Sequence, residues 1–135
     1  MRHALHQLRL IHLVFILCVP FFAWIAERAP EQSSGATPVY WILVAAGLGS
    51  AAAGIRVGGR LLSSLDPKDA TGDLPEIRIH RWKTGHFVRV ASAESVALYG
   101  VITRMTLGLT LWFAVPFYVV SLCLLLLWTP RLPKP

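Results

Sequence analysis

The chain has 135 residues, which is room for one domain. Apolar residue types make up 55% of it and charged types 15%, and the mean hydropathy is +0.57. An ordinary soluble domain carries about 25% charged residues, so this composition argues against a freely soluble globule and against a disordered tail. The two cysteines, Cys18 and Cys123, lie in apolar runs, which argues against a disulfide framework or a zinc finger.

Three apolar stretches are long enough to cross a bilayer, which takes about 20 mostly apolar residues. The first two predict helices over about 8–26 and 39–62. The third stretch, 87–128, would be roughly 63 Å long as a single helix. We therefore expect two helices, about 86–105 and 109–128, with a turn near Thr106–Thr110, and one bent helix is the alternative.

The predicted fold is an all-α integral membrane protein, with four transmembrane helices arranged as two antiparallel hairpins. Residues 1–135 form a single membrane domain, and the inner loop covers about 63–85. We expect the first helix to be retained, because Glu27 makes the small-residue cleavage signal near Ala26 poor.

The basic residues indicate the orientation. The net charge is +6. With the N-terminus inside, only Arg28 and Arg104 fall in outer segments, and the other eleven of the 13 Lys and Arg residues fall inside. This bias predicts a bacterial-type cytoplasmic (inner) membrane protein with both termini in the cytoplasm. It is a topology signal, so we expect no nucleic-acid partner.

The inner basic residues are also candidates for contact with anionic lipid headgroups. These candidates are Arg56, Arg60, Arg78, Arg81 and Lys83. Aromatic residues are expected at both membrane surfaces, because an amphipathic ring suits the headgroup layer. The predicted outer set is Trp24, Tyr40, Trp41 and Trp112, and the predicted inner set is Trp82 and Trp128.

Small residues mark one face of the second helix and one face of the third. Close packing through small residues holds helices together in lipid. The second helix offers Gly47, Ala51, Gly54 and Gly58, and the third offers Ala93, Ala97 and Gly100. We expect these two helices to pack together around Glu94, and the same face of a second copy is the alternative partner.

Glu94 is the acidic residue within a predicted crossing, about 10 Å along the helix from Phe87. A charged carboxylate at that depth is costly unless it is paired or takes up a proton. Ser95 and Ser50 are among its possible partners. Glu94 is therefore a candidate for proton or ion handling, and a carboxyl group that only locks helix packing is the alternative.

The segment Glu94-Ser-Val-Ala-Leu-Tyr99-Gly100 resembles the second helix of the rotary ATP synthase c subunit, the proteolipid of the proton ring. The run from Ala45 to Gly54 is similar to that family's glycine-rich first helix, and the resemblance covers about residues 43–117. It implies that Glu94, with Tyr99 beside it, is a proton carrier. It also implies that Gly47, Gly49 and Gly54 are ring-packing positions.

His12 and His86 lie near the inner ends of their predicted helices. Two histidines on neighbouring helices are able to ligate a haem, and one is able to ligate a pigment; interfacial histidines are the alternative. The sequence has no phosphate-binding glycine loop and no activated nucleophile, so we expect neither an enzyme nor a bound metal or cofactor. The leading hypothesis is an accessory or assembly subunit that binds the lipid bilayer and other membrane subunits or a second copy. The alternative is a proton- or ion-carrying subunit.

Overall fold

The computed structural model describes residues 2–30, 38–63 and 75–130. These residues form α1 (Arg2–Glu27), α2 (Pro38–Ser63), α3 (Pro75–Met105) and α4 (Leu111–Leu127), and no strand occurs among them. The all-α class is thus confirmed. Lys68, Arg131 and Lys134, which were counted among the inner charges, lie outside the described residues.

α3 is longer than the sequence indicated. It begins at Pro75, so much of the segment assigned to the inner loop, 63–85, is helical. The buried residues Trp82, His86, Val90 and Ala93 recur at helical spacing and form one continuous face. Hydropathy averaging missed the first turns, because charged residues occupy the other faces there while the helical periodicity continues.

A true turn separates α3 from α4. Gly108 has φ 63°, a left-handed conformation that a side chain would strain. The Arg104 guanidinium, at the end of α3, donates from Nη1 to the carbonyl oxygen of Leu109 at 3.2 Å. The chain from Phe87 to Trp128 therefore forms two helices and not one bent helix.

α2 and α3 run antiparallel and pack closely. A Cβ on Gly47 would meet Tyr99, whereas a Cβ on Gly54, further along α2, would meet Ser92, which is earlier in α3. At Gly58 a Cβ would lie 2.6 Å from Cγ of Arg89. The two backbones approach so closely because these positions carry no side chain.

The other two helices complete an up-down-up-down arrangement. α4 runs parallel to α2, since Phe117 lies against Gly47 and Trp128 lies against Gly54. α1 runs parallel to α3, since Leu5 packs with Trp82 and Val19 packs further along α3. α3 is thus the central helix and contacts each of the others.

Much of the apolar surface points outward. Two helical segments, Leu5–Glu27 and Pro38–Ser63, are long and apolar enough to cross a membrane, and Leu111–Leu127 is a shorter apolar helix. Leu17 is 60% exposed and Leu48 is 66% exposed. The aromatic residues predicted for the membrane surfaces are exposed only in part. Trp24, Trp41 and Trp112 are exposed, but Tyr40 of the outer set and both inner residues, Trp82 and Trp128, are buried. The Trp128 ring lies against Gly54, whereas Trp82 packs with Leu5 and edge-on against His86.

Replacement of Gly54 by alanine tests the close approach of α2 and α3. The new Cβ would lie 2.7 Å from Cβ of Ser92 and 2.9 Å from the Trp128 ring. We expect Gly54→Ala to lower the free energy of unfolding by about 1–3 kcal/mol. The matched control is Gly49→Ala, where nothing lies within 4 Å. It should raise stability by about 0.5–1 kcal/mol through helix propensity. Equal stability changes in the two variants, measured by thermal unfolding, would contradict this packing.

Replacement of Gly108 by alanine tests the turn. The positive φ should cost Gly108→Ala about 1–2 kcal/mol in unfolding free energy. Gly59→Ala is the control, because that glycine is helical and its Cβ would make only an ordinary contact, 3.8 Å from Arg89 Nη2. A Gly108→Ala protein as stable as the control in a denaturant titration would exclude a left-handed residue here.

Candidate functional site

Glu94 lies on α3, away from the α2 contact. Its Oε2 atom is buried with no hydrogen-bond partner in the part of the chain that the structure describes. Ser92, two residues earlier, faces Gly54 of α2. Because two residues rotate a helix by about 200°, Glu94 points roughly the opposite way. The expectation that α2 and α3 pack around Glu94 is therefore wrong, since Ser92, Arg89 and Tyr99 occupy that contact instead.

The four residues proposed for a proton site are not brought together. The Ser95 hydroxyl donates to the carbonyl oxygen of Ala91 at 2.9 Å, within its own helix. The Tyr99 ring packs against Gly47 of α2, with Cδ2 3.6 Å from the position of a Cβ there. Ser50 also lies on α2. Glu94 is thus separated in direction from Tyr99 and from α2.

His12 and His86 are brought together. Both side chains are buried, at 3% and 5% exposure, and they interact electrostatically. Both ring nitrogens of His12 and Nδ1 of His86 make no hydrogen bond to described residues. His12 approaches the Leu125 carbonyl without hydrogen-bond geometry, and Trp82 packs edge-on against His86 at 5.4 Å. This cluster joins α1, α3 and α4.

The histidine pair offers only two imidazole donors. Among residues 2–30, 38–63 and 75–130, no three His, Cys, Asp or Glu side chains lie together as a metal group. The expected use of His12 and His86 as haem or pigment ligands therefore depends on two donors alone. Both rings are buried, and three of their four nitrogens make no hydrogen bond to described residues.

Arg89 lies beside His86, whereas the sequence had offered it as a possible partner of Glu94. Its guanidinium is 5.7 Å from the centre of the Trp128 ring, a cation–π distance. Its aliphatic stem lies over Gly58, which leaves room for it. The missing side chain at Gly58 was the signal that a long side chain from α3 crosses there.

A second buried polar group lies toward the α3–α4 turn. Tyr118 and Ser121 of α4 are buried, and neither the Tyr118 hydroxyl nor Ser121 Oγ has a hydrogen-bond partner in the described chain. Tyr118 packs on Gly100 and interacts electrostatically with Arg104 and Glu27. Sequence reasoning missed both hydroxyls, although they lie at helical spacing with the buried Ala114, Phe117 and Leu125.

The small residues predicted for helix packing lie at helix contacts. Those that are buried are Gly47, Gly54, Gly58, Ala93, Ala97 and Gly100, and Ala51 is half-buried. The predicted headgroup residues lie at one end of the bundle, because α2 ends where α3 begins. Among them Arg56, Arg60 and Lys83 are exposed, and Arg78 and Arg81 are half-buried.

An apolar cavity of about 200 Å³ lies between α2 and α4, with Val96 of α3 among its lining residues. Its other walls include Trp41, Leu48 and Val120. A ligand site normally has a few polar groups that orient the ligand, and this lining is almost wholly apolar. The cavity is therefore not the candidate site, which lies instead among the polar side chains between α1, α3 and α4.

Comparison of the chain with known protein families, with curated proteins and with solved structures finds no match. The resemblance of residues 43–117 to the ATP synthase c subunit is therefore neither supported nor excluded by a relative.

Proposed function

We propose that this chain is an integral membrane protein whose four helices all cross the bilayer. The supporting observation is the distribution of apolar surface. In the most apolar 18-residue stretch of α1, only 17% is buried. The same share is buried in the corresponding stretch of α2. The core helices of a soluble protein are mostly buried, whereas lipid-facing helices expose large apolar side chains.

The charged helix α3 fits this arrangement because the other helices cover it. It contacts α1, α2 and α4. Its buried charged residue Arg104 and its half-buried Glu94 are turned to the bundle interior. Polar residues in membrane helices normally face the bundle interior, and α1, α2 and α4 supply the lipid-facing surface.

The orientation follows from the basic residues. Arg56 and Arg60 of α2 lie at the same end of the bundle as Arg78, Arg81 and Lys83 of α3. That end faces the cytoplasm of a bacterial-type inner membrane, and both termini lie there. These side chains contact anionic headgroups of the inner leaflet.

The proposed role is that of an accessory or assembly subunit of a larger membrane complex. Little of the described chain lies outside the four helices, and large exposed apolar side chains form helix faces such as the one around Ile42 and Leu48. Such faces bind lipid and the helices of other subunits, or of a second copy, through van der Waals packing. This role involves no catalysis by the chain itself.

Proton or ion carriage is a second candidate, and one observation favours it. Oε2 of Glu94 is buried midway along α3 and has no hydrogen-bond partner among the described residues. An intramembrane carboxyl group in this environment is a candidate for proton uptake and release. The resemblance to the c subunit points to the same residue.

The accessory role predicts a stable complex in the membrane. The tagged chain should resist extraction at alkaline pH and should co-purify in mild detergent with a larger membrane protein at a fixed ratio. A tag on that partner should recover this chain in turn, and a harsh detergent should separate them. Release of the chain by alkali would contradict membrane insertion. A lone monomer in mild detergent would contradict the accessory role only.

The carrier role predicts selective modification of Glu94 by dicyclohexylcarbodiimide, which reacts with protonated carboxyl groups in apolar surroundings. We expect the label on Glu94, at a rate that falls as rising pH ionises the group. Glu94→Gln should abolish the label, and the exposed Glu27 should stay unmodified. Mass spectrometry that finds no label on Glu94 at any pH would remove this candidate.

A further inference from the structure

Buried polar atoms without hydrogen-bond partners are unevenly distributed among the helices. Within the described ranges all such side-chain atoms belong to α1, α3 and α4, and none belongs to α2. Apart from arginine nitrogens, they lie on His12, His86, Glu94, Ser121 and Tyr118. Four of these five side chains are more than nine-tenths buried, and Glu94 is half-buried.

These atoms lie in or beside one apolar core that the same three helices share. Val19 of α1, Ala93 and Ala97 of α3, and Leu125 of α4 belong to that core. A buried polar atom that makes no hydrogen bond destabilises the fold, and native proteins normally satisfy such atoms with ordered water. Five residues of one interface each have a buried atom that lacks a hydrogen-bond partner among the described residues, which indicates that water hydrates this interface.

The five residues are spread along the bundle axis. His86 and Glu94 are eight residues apart on α3, about 12 Å, and Gly100 is about 9 Å further on. Tyr118 lies at the level of Gly100, since its Cε1 is 2.9 Å from the position of a Cβ there. α4 runs antiparallel to α3, so Ser121 lies between the levels of Tyr118 and Glu94. Together they cover about 21 Å of a bilayer core of roughly 30 Å.

Both ends of this series reach charged residues near the surface. At the basic end, His86 lies within about a turn of Lys83 on α3 and interacts electrostatically with Arg89. At the other end, Tyr118 interacts electrostatically with Arg104 and with Glu27, an exposed carboxylate at the end of α1. Glu27 is thus able to exchange protons with water on the outer side.

We propose that His12, His86, Glu94, Ser121 and Tyr118, bridged by water, form a proton path through the interface of α1, α3 and α4. Imidazole, hydroxyl and carboxyl groups each both donate and accept hydrogen bonds, so each passes a proton on while receiving another. One proton enters at one end as one leaves at the other, and no bond other than O–H and N–H changes. The path rests on the proposed membrane insertion and names the proton as the ion that the chain handles.

The test is proton flux into vesicles. The full chain is reconstituted into liposomes that hold a pH-sensitive dye, and a potassium gradient with valinomycin supplies the driving potential. We expect wild type to carry protons faster than empty vesicles. Ser121→Ala, Tyr118→Phe and Glu94→Gln should each reduce the protein-dependent flux by about tenfold or more, because each leaves an apolar gap in the path.

Ser95→Ala is the matched control. It removes the same atom as Ser121→Ala, but from a hydroxyl that already donates to Ala91 of its own helix. Its flux should equal that of wild type. A Ser95→Ala protein that loses flux as Ser121→Ala does would overturn the path, because the effect would then not depend on position.

Thermal unfolding provides a second measurement on the same variants. If Ser121 and Tyr118 bind water, Ser121→Ala and Tyr118→Phe should not unfold at higher temperature than wild type. If the atoms are dry, both variants should gain stability, and unchanged flux with raised stability would overturn the proposal. A chain that incorporates into the vesicles, resists alkali and shows no flux also overturns the path while membrane insertion stands. A chain that does not incorporate into the vesicles would overturn both the proton path and membrane insertion.

Discussion

The close approach of α2 to α3 is the contact on which the rest of the bundle depends. Gly54 and Gly58 let Ser92 and the stem of Arg89 lie where side chains would otherwise be. The space beside Gly54 is filled by Trp128 at the end of α4, so the same glycine positions a third helix. Dispersion contacts weaken steeply with distance, and a helix pair without a hydrophobic drive in lipid needs such proximity to stay together.

That contact also decides which face of α3 remains for the other helices. With Ser92 and Tyr99 turned to α2, Glu94 and His86 are turned away from it, toward α1 and α4. α2 therefore differs from the other three helices in what it contributes to the bundle. α2 packs through small residues and carries no unpartnered buried polar atom in the described chain, while the other three helices hold such atoms in or beside their shared apolar core.

The burial of several polar side chains and the exposure of many apolar ones are related. Side chains such as Leu17, Leu48 and Leu127 are exposed, while His12, Arg104 and Ser121 are buried. In water this arrangement would be costly on both counts, whereas in lipid the exposed groups cost nothing and the buried polar groups are kept away from hydrocarbon. The proposed membrane location explains both the exposed apolar side chains and the buried polar ones, because lipid is the surrounding solvent. It also gives Glu94, the histidines and the hydroxyls a common role.

The sequence by itself determined the helical class, the four helices of the described chain and the bounds of α2 to within a residue, because hydropathy and helical period are local properties. It placed the start of α1 at about residue 8, whereas the helix begins at Arg2. It also indicated the glycines that would meet α3. It missed the first turns of α3, where charged residues mask the helical pattern in any average.

Only the tertiary structure decided which helices are neighbours, and with that the direction in which each α3 side chain points. From the sequence alone, Ser92 and Glu94 are equally plausible contacts for α2. Their assignment required the position of Gly54, since about 200° of helix separates them. The grouping of His12 with His86, and of Tyr118 with Arg104, came from contacts between helices distant in sequence, which no local pattern encodes.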